Sequence, residues 1–344
     1  MVPEQRRVTI GDVAAAAGVS VATVSKVINS RYGVAAQTLA RVQAVIDELG
    51  YESSIVAQSL RSHRTNVIGI VVADIEPFSA ELLKGAARAV HGSGYELVVY
   101  SGGGLGRAQA GWERRYLSRV SGTLTDGTVL VTPSVVDVVN SAPVVAVDPH
   151  TGPSTLPTVA SDNLKGAITA AEHLIRLGHR RIGFLAGRPD LESARLREQG
   201  WRQALEAAGI AAEADLVRVG GYEQESAEGP VRQLLALPPD RRPTAVFAAN
   251  DVSALETMRV AAELGLRIPE DLSVIGFDNI PESALSQPGL TTIEQPIQQM
   301  GYEAVRVLLG LIAGTAGPDA DLSLTLPTAL VVRHSCRALT AAER

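Results

Sequence analysis

The stretch TIGDVAAAAGVSVATVSKVIN, Thr9 to Asn29, holds two short helical patterns joined at a Gly-Val turn. Thr9 followed by Asp12 is a capping-box-like start, in which the hydroxyl serves orphan N–H groups and the carboxylate sits at the positive end of the helix dipole. Ile10, Val13, Ala14 and Ala17 then recur on one face at helical spacing. Gly18 supplies the left-handed residue that ends the first helix, and Ser20 can cap the second. Two helices meeting sharply over so short a turn form a helix-turn-helix, whose second helix is built to enter a DNA major groove. In that helix Val24, Val27 and Ile28 point inward. Val21, Ala22, Ser25, Lys26 and Asn29 lie on the opposite face, within reach of base edges and phosphates.

A third helix is expected from Ala35 to Leu49, with Leu39, Val42, Ile46 and Leu49 as its apolar stripe and Gly50 as its terminating glycine. It completes a head over residues 1–50. Residues 51–65, YESSIVAQSLRSHRT, follow as a hinge and linker in which Ser54 could cap two turns ending near Arg61. So short a helix barely outweighs the cost of its own nucleation, so it is expected to fold conditionally.

Charge follows the same division. Residues 1–64 carry seven Lys and Arg against five Asp and Glu, whereas the remainder carries 24 against 32. A basic head on an acidic body suits a DNA reader whose larger part has another task. The single cysteine, Cys336, excludes a disulfide framework and a CxxC metal motif. No export signal and no apolar run of membrane-spanning length is evident, so a cytoplasmic location is expected and no membrane partner.

From Asn66 onward, β-branched runs alternate with amphipathic helical patterns: 67–73, 96–100, 128–131, 144–147, 181–186, 244–249 and 272–277. Apolar strands separated by helices predict doubly wound α/β structure with parallel sheets covered on both faces. At about 270 residues this region needs two such sheets. Ligands of these folds bind beyond the carboxyl ends of the strands. The polar or aromatic residues there are Asp74 with Phe78, Asp148, Arg188, Tyr222, Asn250 with Asp251, and Asp278. Asp162 and Asp251 are assigned mainly to a structural role, capping a helix or closing a loop.

The ordered set of motifs resembles the lactose/galactose repressor family of bacterial transcription regulators. It comprises TIGDVAAAAGVSVATVSKVIN, ELGYESSIVAQSLRSHRTNVIGIVV, SDNLKGAITAAEHLIRLGHRRIGFLAG (161–187), SARLREQGW (193–201), TAVFAANDVSALETMR (244–259) and LGLRIPEDLSVIGFDNIPESALSQPGLTTIEQP (264–296). The resemblance implies a bilobed, periplasmic-binding-protein-like (type I) core over 66–338. Its first lobe would hold about 66–160 and 292–322, its second about 161–291 and 323–338, with a tail at 339–344. Effector binding falls to Asp148, Leu191, Ser193, Arg197, Asn250 and Asp278, with Phe78 and Tyr222 stacking. The family's nucleobase branch carries a further arginine where this chain has Leu191, two residues before Ser193. Carboxylates, an amide and a guanidinium around an apolar platform suit vicinal hydroxyls. A sugar or oligosaccharide effector is therefore expected over a nucleobase.

The resemblance also implies a homodimeric repressor on a pseudo-palindromic operator. An effector could release the operator or tighten the grip on it, and release is expected because the pocket suits a sugar. The residues expected at the duplex are Thr9, Ser20, Val21, Ala22, Thr23, Ser25, Lys26, Asn29, Tyr32, Ser54, Ala57 and Leu60. Leu60 matches the leucine that the family inserts into the minor groove. Lys26 stands where the family usually has arginine, and an ammonium cannot make the bidentate contact to guanine.

Other functions are disfavoured. A transported-solute binder has no use for residues 9–29, and a sugar-metabolising enzyme needs a nucleophile or metal that is not placed. SGGGLG at 101–106 lacks the GK[ST] ending of a phosphate loop. His150, His173 and His179 lack metal-ligand spacing. Asp148 and Asp278 could form a glycosidase pair in principle, but hydroxyl binding suits a ligand-clamping fold better. No enzyme activity, metal or cofactor is expected.

Overall fold

The computed structural model describes residues 8–28, 32–51, 64–102, 111–120, 124–133, 142–149, 156–315 and 323–340. The chain forms two compact units, Met1–Thr65 and Asn66–Arg344. In the first, α1 (Ile10–Ala17), α2 (Val21–Ile28) and α3 (Ala36–Leu49) enclose Val13, Ala14, Ala17, Val24, Val27 and Val42. The capping box is complete. Asp12 accepts from the Thr9 amide at 2.8 Å and from its hydroxyl at 2.7 Å, and the Asp12 amide donates back to Thr9 Oγ1 at 3.3 Å. Gly18 takes φ 63°, a left-handed conformation, and the axis turns through 105° between α1 and α2. Gly50 ends α3 in the same conformation. The stripe of α3 is narrower than its spacing suggested. Val42 is fully buried and Val45 and Ile46 pack beside it, but Leu39 and Leu49 are exposed because so small a core has room for one face of the helix.

The second unit contains two six-stranded sheets. The first sheet comprises β1 (Val67–Val72), β2 (Glu96–Ser101), β3 (Gly127–Val131), β4 (Val144–Val147), β5 (Thr158–Ser161) and β11 (Leu324–Leu326), in the order β11-β5-β4-β3-β1-β2. The second comprises β6 (Ile182–Ala186), β7 (Val217–Val219), β8 (Ala245–Ala248), β9 (Ser273–Asp278), β10 (Thr291–Glu294) and β12 (Ala329–Val331), in the order β12-β10-β9-β8-β6-β7. Every neighbouring pair is parallel except β10 with β12. The runs of Val, Ile and Phe in β1, β3, β4, β6, β8 and β9 are buried along their whole length, as parallel strands covered on both faces require.

Helices supply that cover. The first lobe carries α4 (Pro77–Val90), α5 (Trp112–Val120) and α11 (Ile297–Ile312); the second carries α6 (Asn163–Arg176), α7 (Glu192–Ala207), α8 (Gln224–Leu235), α9 (Asp251–Glu263) and the short α10 (Pro281–Leu285). α4 and α11 close one face of the first sheet, with Trp112 and Leu117 of α5 on the other. α6 and α7 cover one face of the second sheet, and α8 and α9 the opposite face.

The chain passes between the lobes three times. The first passage follows Ser161, near the expected Ala160. The second follows Glu294 rather than Thr291, because β10 pairs with β9 along its whole length. The third follows Leu326 rather than Leu322, because β11 extends the first sheet beside β5 before β12 joins the second. No single helix among the described residues is long and apolar enough to cross a membrane.

Candidate functional site

The head presents a polar face. Ser20 caps α2, its Oγ accepting from the Thr23 amide at 3.2 Å and lying 2.9 Å from the Thr23 hydroxyl. Ser20, Val21, Ala22 and Lys26 are exposed, Thr23 and Ser25 half-buried, and Tyr32 fully exposed, while Val24 and Val27 anchor the helix from behind. Thr9 is exposed but spent on its capping box. Asn29, Ser54, Ala57 and Leu60 lie outside the described residues.

In the second unit, strands of both sheets end at a cleft with about 840 Å3 of open space, its mouth included. Phe78, Asp148, Leu191, Ser193, Arg197, Tyr222, Asn250 and Asp278 all line it, joined by Ala73, Asp74, Glu76, Thr132, Arg188, Glu223, Val252, Ile280 and Gln295. Phe78 comes from the first turn of α4, Asp148 from the end of β4, and Leu191, Ser193 and Arg197 from the start of α7. Gly187 lets the Tyr222 ring in, because a Cβ there would fall 2.2 Å from the ring. The backbone is strained where side chains are aimed inward. Thr132 has φ 45°, Asp148 φ 42° and Asp278 φ 123°, all in the region that ordinary residues avoid, and Asn279, whose side chain accepts from Arg333 outside the cleft, has φ 60°.

Arg197 organises the floor. Its Nε donates to Asn163 Oδ1 at 2.8 Å, and its Nη1 to the Ala249 carbonyl at 2.5 Å and to Asp278 Oδ1 at 3.4 Å. The guanidinium lies 3.9 Å from the centre of the Phe277 ring and 5.7 Å from that of Tyr222. Gln295 Nε2 donates to Asp278 Oδ1 at 2.5 Å, and its oxygen accepts from the Ser161 hydroxyl. A buried cation is thus satisfied by one carboxylate, one amide, one carbonyl and a ring face.

The carboxylates outnumber that cation. Burial raises Asp148 to about 6 against the opposing pull of Arg197, and its Oδ1 is buried with no hydrogen-bond partner among the described residues. Burial likewise raises Asp278 to about 6, with Arg197 and Gln295 opposing and Asp148 adding repulsion. Burial also pushes the Tyr222 phenol up. Arg188 is taken by Asp190, at 3.2 Å through Nε and 2.6 Å through Nη2.

Asn250 lines the cleft and also caps a helix, while Asp251 closes a turn. Asn250 caps α9, its Oδ1 accepting from the Ser253 amide at 3.0 Å while its Nδ2 donates to the Tyr222 carbonyl at 3.1 Å. Asp251, expected to cap a helix or close a loop, does the latter as a fully buried clamp. Its Oδ2 accepts from the Ile280 amide at 3.0 Å and its Oδ1 from the Thr292 hydroxyl at 2.5 Å, fixing the strained turn after Asp278. Burial and the neighbouring Asp278 carboxylate raise its pKa. Asp162 does cap α6, accepting from the Lys165 amide at 3.0 Å.

Among the discounted features, His179 is buried in a structural link between Thr244 Oγ1 at 3.0 Å and the Arg337 carbonyl at 3.2 Å. His173 lies on α6, and burial pushes its imidazole down. His150 and residues 103–106 of the glycine-rich loop lie outside the described residues. No cluster of three or more His, Cys, Asp or Glu among the described residues could hold a metal ion.

Residues 9–54 match the family model described as bacterial regulatory proteins, lacI family, and residues 171–336 match the periplasmic binding protein-like domain. The chain is 36% identical over 336 residues to the HTH-type transcriptional repressor PurR of Pectobacterium carotovorum subsp. carotovorum (strain PC1), covering 95% of this chain and 96% of that protein. Among solved structures it resembles the lac repressor dimer bound to operator and the anti-inducer ONPF, with TM-score 0.81, 29% identity, and 97% and 100% of the two chains covered. It also resembles a transcriptional regulator CelR–cellobiose complex, with TM-score 0.70, 33% identity, and 96% and 100% covered. A helix-turn-helix head, two parallel-sheet lobes and relatives that match from end to end leave one conclusion. The chain belongs to the lacI family of bacterial regulatory proteins, DNA-binding transcriptional repressors that are not enzymes.

Proposed function

We propose that this repressor, as a homodimer in the cytoplasm, lets go of its operator when an uncharged sugar or oligosaccharide occupies the interlobe cleft. The observation that carries the reading is the buried Asp148 Oδ1, left without a partner beside Asp278 and Arg197 and facing Phe78 and Tyr222. A lone pair buried without a donor costs free energy that a ligand hydroxyl restores. Sugar rings present hydroxyl edges to such carboxylates and C–H faces to aromatic platforms. The cellobiose bound by the similar CelR structure supports the same class. Leu191, almost fully buried in the cleft wall, offers an apolar surface where a nucleobase would need a cation.

At the operator, Ser20, Val21, Ala22, Thr23, Ser25, Lys26 and Asn29 read the major groove, with Thr9 and Tyr32 beside them. Leu60, with Ser54 and Ala57 on the same hinge, enters the minor groove. Small apolar Val21 and Ala22 suit thymine methyl groups, and Lys26 contributes a point charge rather than a fork.

Calorimetric titration of the full chain with cellobiose, glucose, ribose and hypoxanthine, each followed by an operator-binding measurement on captured genomic fragments, tests this. A neutral saccharide should bind and weaken operator affinity. Binding of hypoxanthine with tightened operator affinity, and of no saccharide, would replace the reading with a nucleobase corepressor.

A further inference from the structure

The end of the second lobe away from the cleft, where β6 and β8 begin, carries a surface hollow with about 920 Å3 of open space, its mouth included. Arg181, Arg242 and Arg337 converge on it. Arg181 Nε donates to the Arg242 carbonyl at 3.1 Å, and Arg242 Nε donates to the Leu237 carbonyl at 3.3 Å. Each guanidinium is therefore held from behind. The terminal nitrogens of both make no hydrogen bond and meet no carboxylate among the described residues. Arg337 donates twice to the Glu270 carbonyl, at 3.0 and 2.8 Å, and once to that of Ala338 at 3.1 Å. His179 ties the floor together through Thr244 and Arg337.

Most other arginines on the lobe's surface are paired, although Arg180 and Arg218 meet only carbonyls. Arg195, Arg202, Arg232, Arg241, Arg259 and Arg267 each find a carboxylate. Two acids line the hollow, but Asp271 is taken by Arg267 through two contacts of 2.8 Å and also acts on Arg337, and neither Asp271 nor Glu270 bonds to Arg181 or Arg242. The like charges of Arg181 and Arg242, side by side with no bonded counter-charge among the described residues, repel, and the repulsion is relieved when an anion enters. Planar forks anchored at Nε are pre-organised for the bidentate geometry of phosphate oxygens.

We propose that this hollow is a second ligand site, separate from the interlobe cleft, that takes a small phosphate-bearing anion between the forks of Arg181 and Arg242. The anion is either free phosphate or pyrophosphate, or the phosphoryl end of a phosphorylated metabolite.

Isothermal titration of the full chain with inorganic phosphate, pyrophosphate and glucose 6-phosphate at fixed ionic strength, with chloride as control, tests the proposal. Saturable binding of one anion per chain is expected, with the preferred probe separating the free from the esterified source. The double substitution Arg181→Gln with Arg242→Gln should weaken it about tenfold or more, as loss of two charge-assisted contacts requires. Glu270→Gln should tighten it. Should the glutamine pair fail to fold by circular dichroism, Arg181→Lys with Arg242→Lys, which keeps charge but removes the forks, should still weaken binding. No saturable binding, binding that survives these pairs, or weaker binding in Glu270→Gln would overturn the proposal; survival would assign the anion to the basic head.

Discussion

Arg197 holds more of the cleft together than any other side chain, because three acceptors and a ring face meet on one guanidinium. Arg197→Lys keeps the charge but cannot satisfy Asn163, the Ala249 carbonyl and Asp278 together. Losing one or two charge-assisted hydrogen bonds should weaken effector affinity by about 1.5–3 kcal/mol. Calorimetric titration should show that loss, with operator affinity of the effector-free protein unchanged. The carboxylates predict opposite pH trends for stability and binding. Asp148 and Asp278 have folded pKa values of about 6, above their ordinary 3.8, so the stability they contribute is full below the ordinary value and is lost as pH rises through about 6. A ligand hydroxyl donates to the ionised form, so effector affinity should rise across the same window. Thermal melting and effector titration between about pH 4 and pH 7 check both signs, and Asp148→Asn should flatten each profile.

Elements explain what the sequence revealed and what it hid. The capping box at Thr9 was legible because it needs only local spacing. Thr9→Ala should cost the head about 1 kcal/mol, seen in the full chain as roughly fivefold faster amide exchange in α1. Six of the seven strands foreseen were legible because burial on both faces imposes continuous apolar runs, and β2, a half-exposed edge strand, was legible from its β-branched run alone. β5, β7, β10, β11 and β12 were not, since three- and four-residue strands such as TVAS and TTIE carry no such run. Two residues of the cleft floor were missed with them. Asn163 closely follows β5 and Gln295 immediately follows β10, so the rule that ligands meet strand ends would have found both had those strands been seen. Whether Asn250 or Asp251 caps the helix was not legible, because adjacent polar residues at a helix start look alike in sequence. Only the tertiary partners, Ser253 for one and Ile280 with Thr292 for the other, distinguish them. At the hinge, Leu60→Ala should weaken specific operator binding by a few kcal/mol at most while leaving effector binding intact, as gel shift and calorimetry would show.

For the whole molecule, the basic head on an acidic body predicts that operator affinity falls steeply with salt, by about 0.9 in log–log slope per phosphate neutralised. Lys26→Gln should reduce that slope by roughly one for each phosphate it contacts. Coupling is the larger claim. The cleft is lined from both lobes, so an effector that prefers one arrangement of the lobes biases the state of the chain that binds DNA. Linkage is reciprocal, so whatever factor the effector takes from operator affinity, the operator must take from effector affinity. Fluorescence anisotropy of labelled operator, titrated with and without a saccharide shown by calorimetry to fill the cleft, measures that factor directly. The account predicts operator affinity about tenfold or more weaker with saccharide, matched by an equal loss of saccharide affinity on operator-bound protein. A saccharide that saturates the cleft while operator affinity stays the same would contradict it.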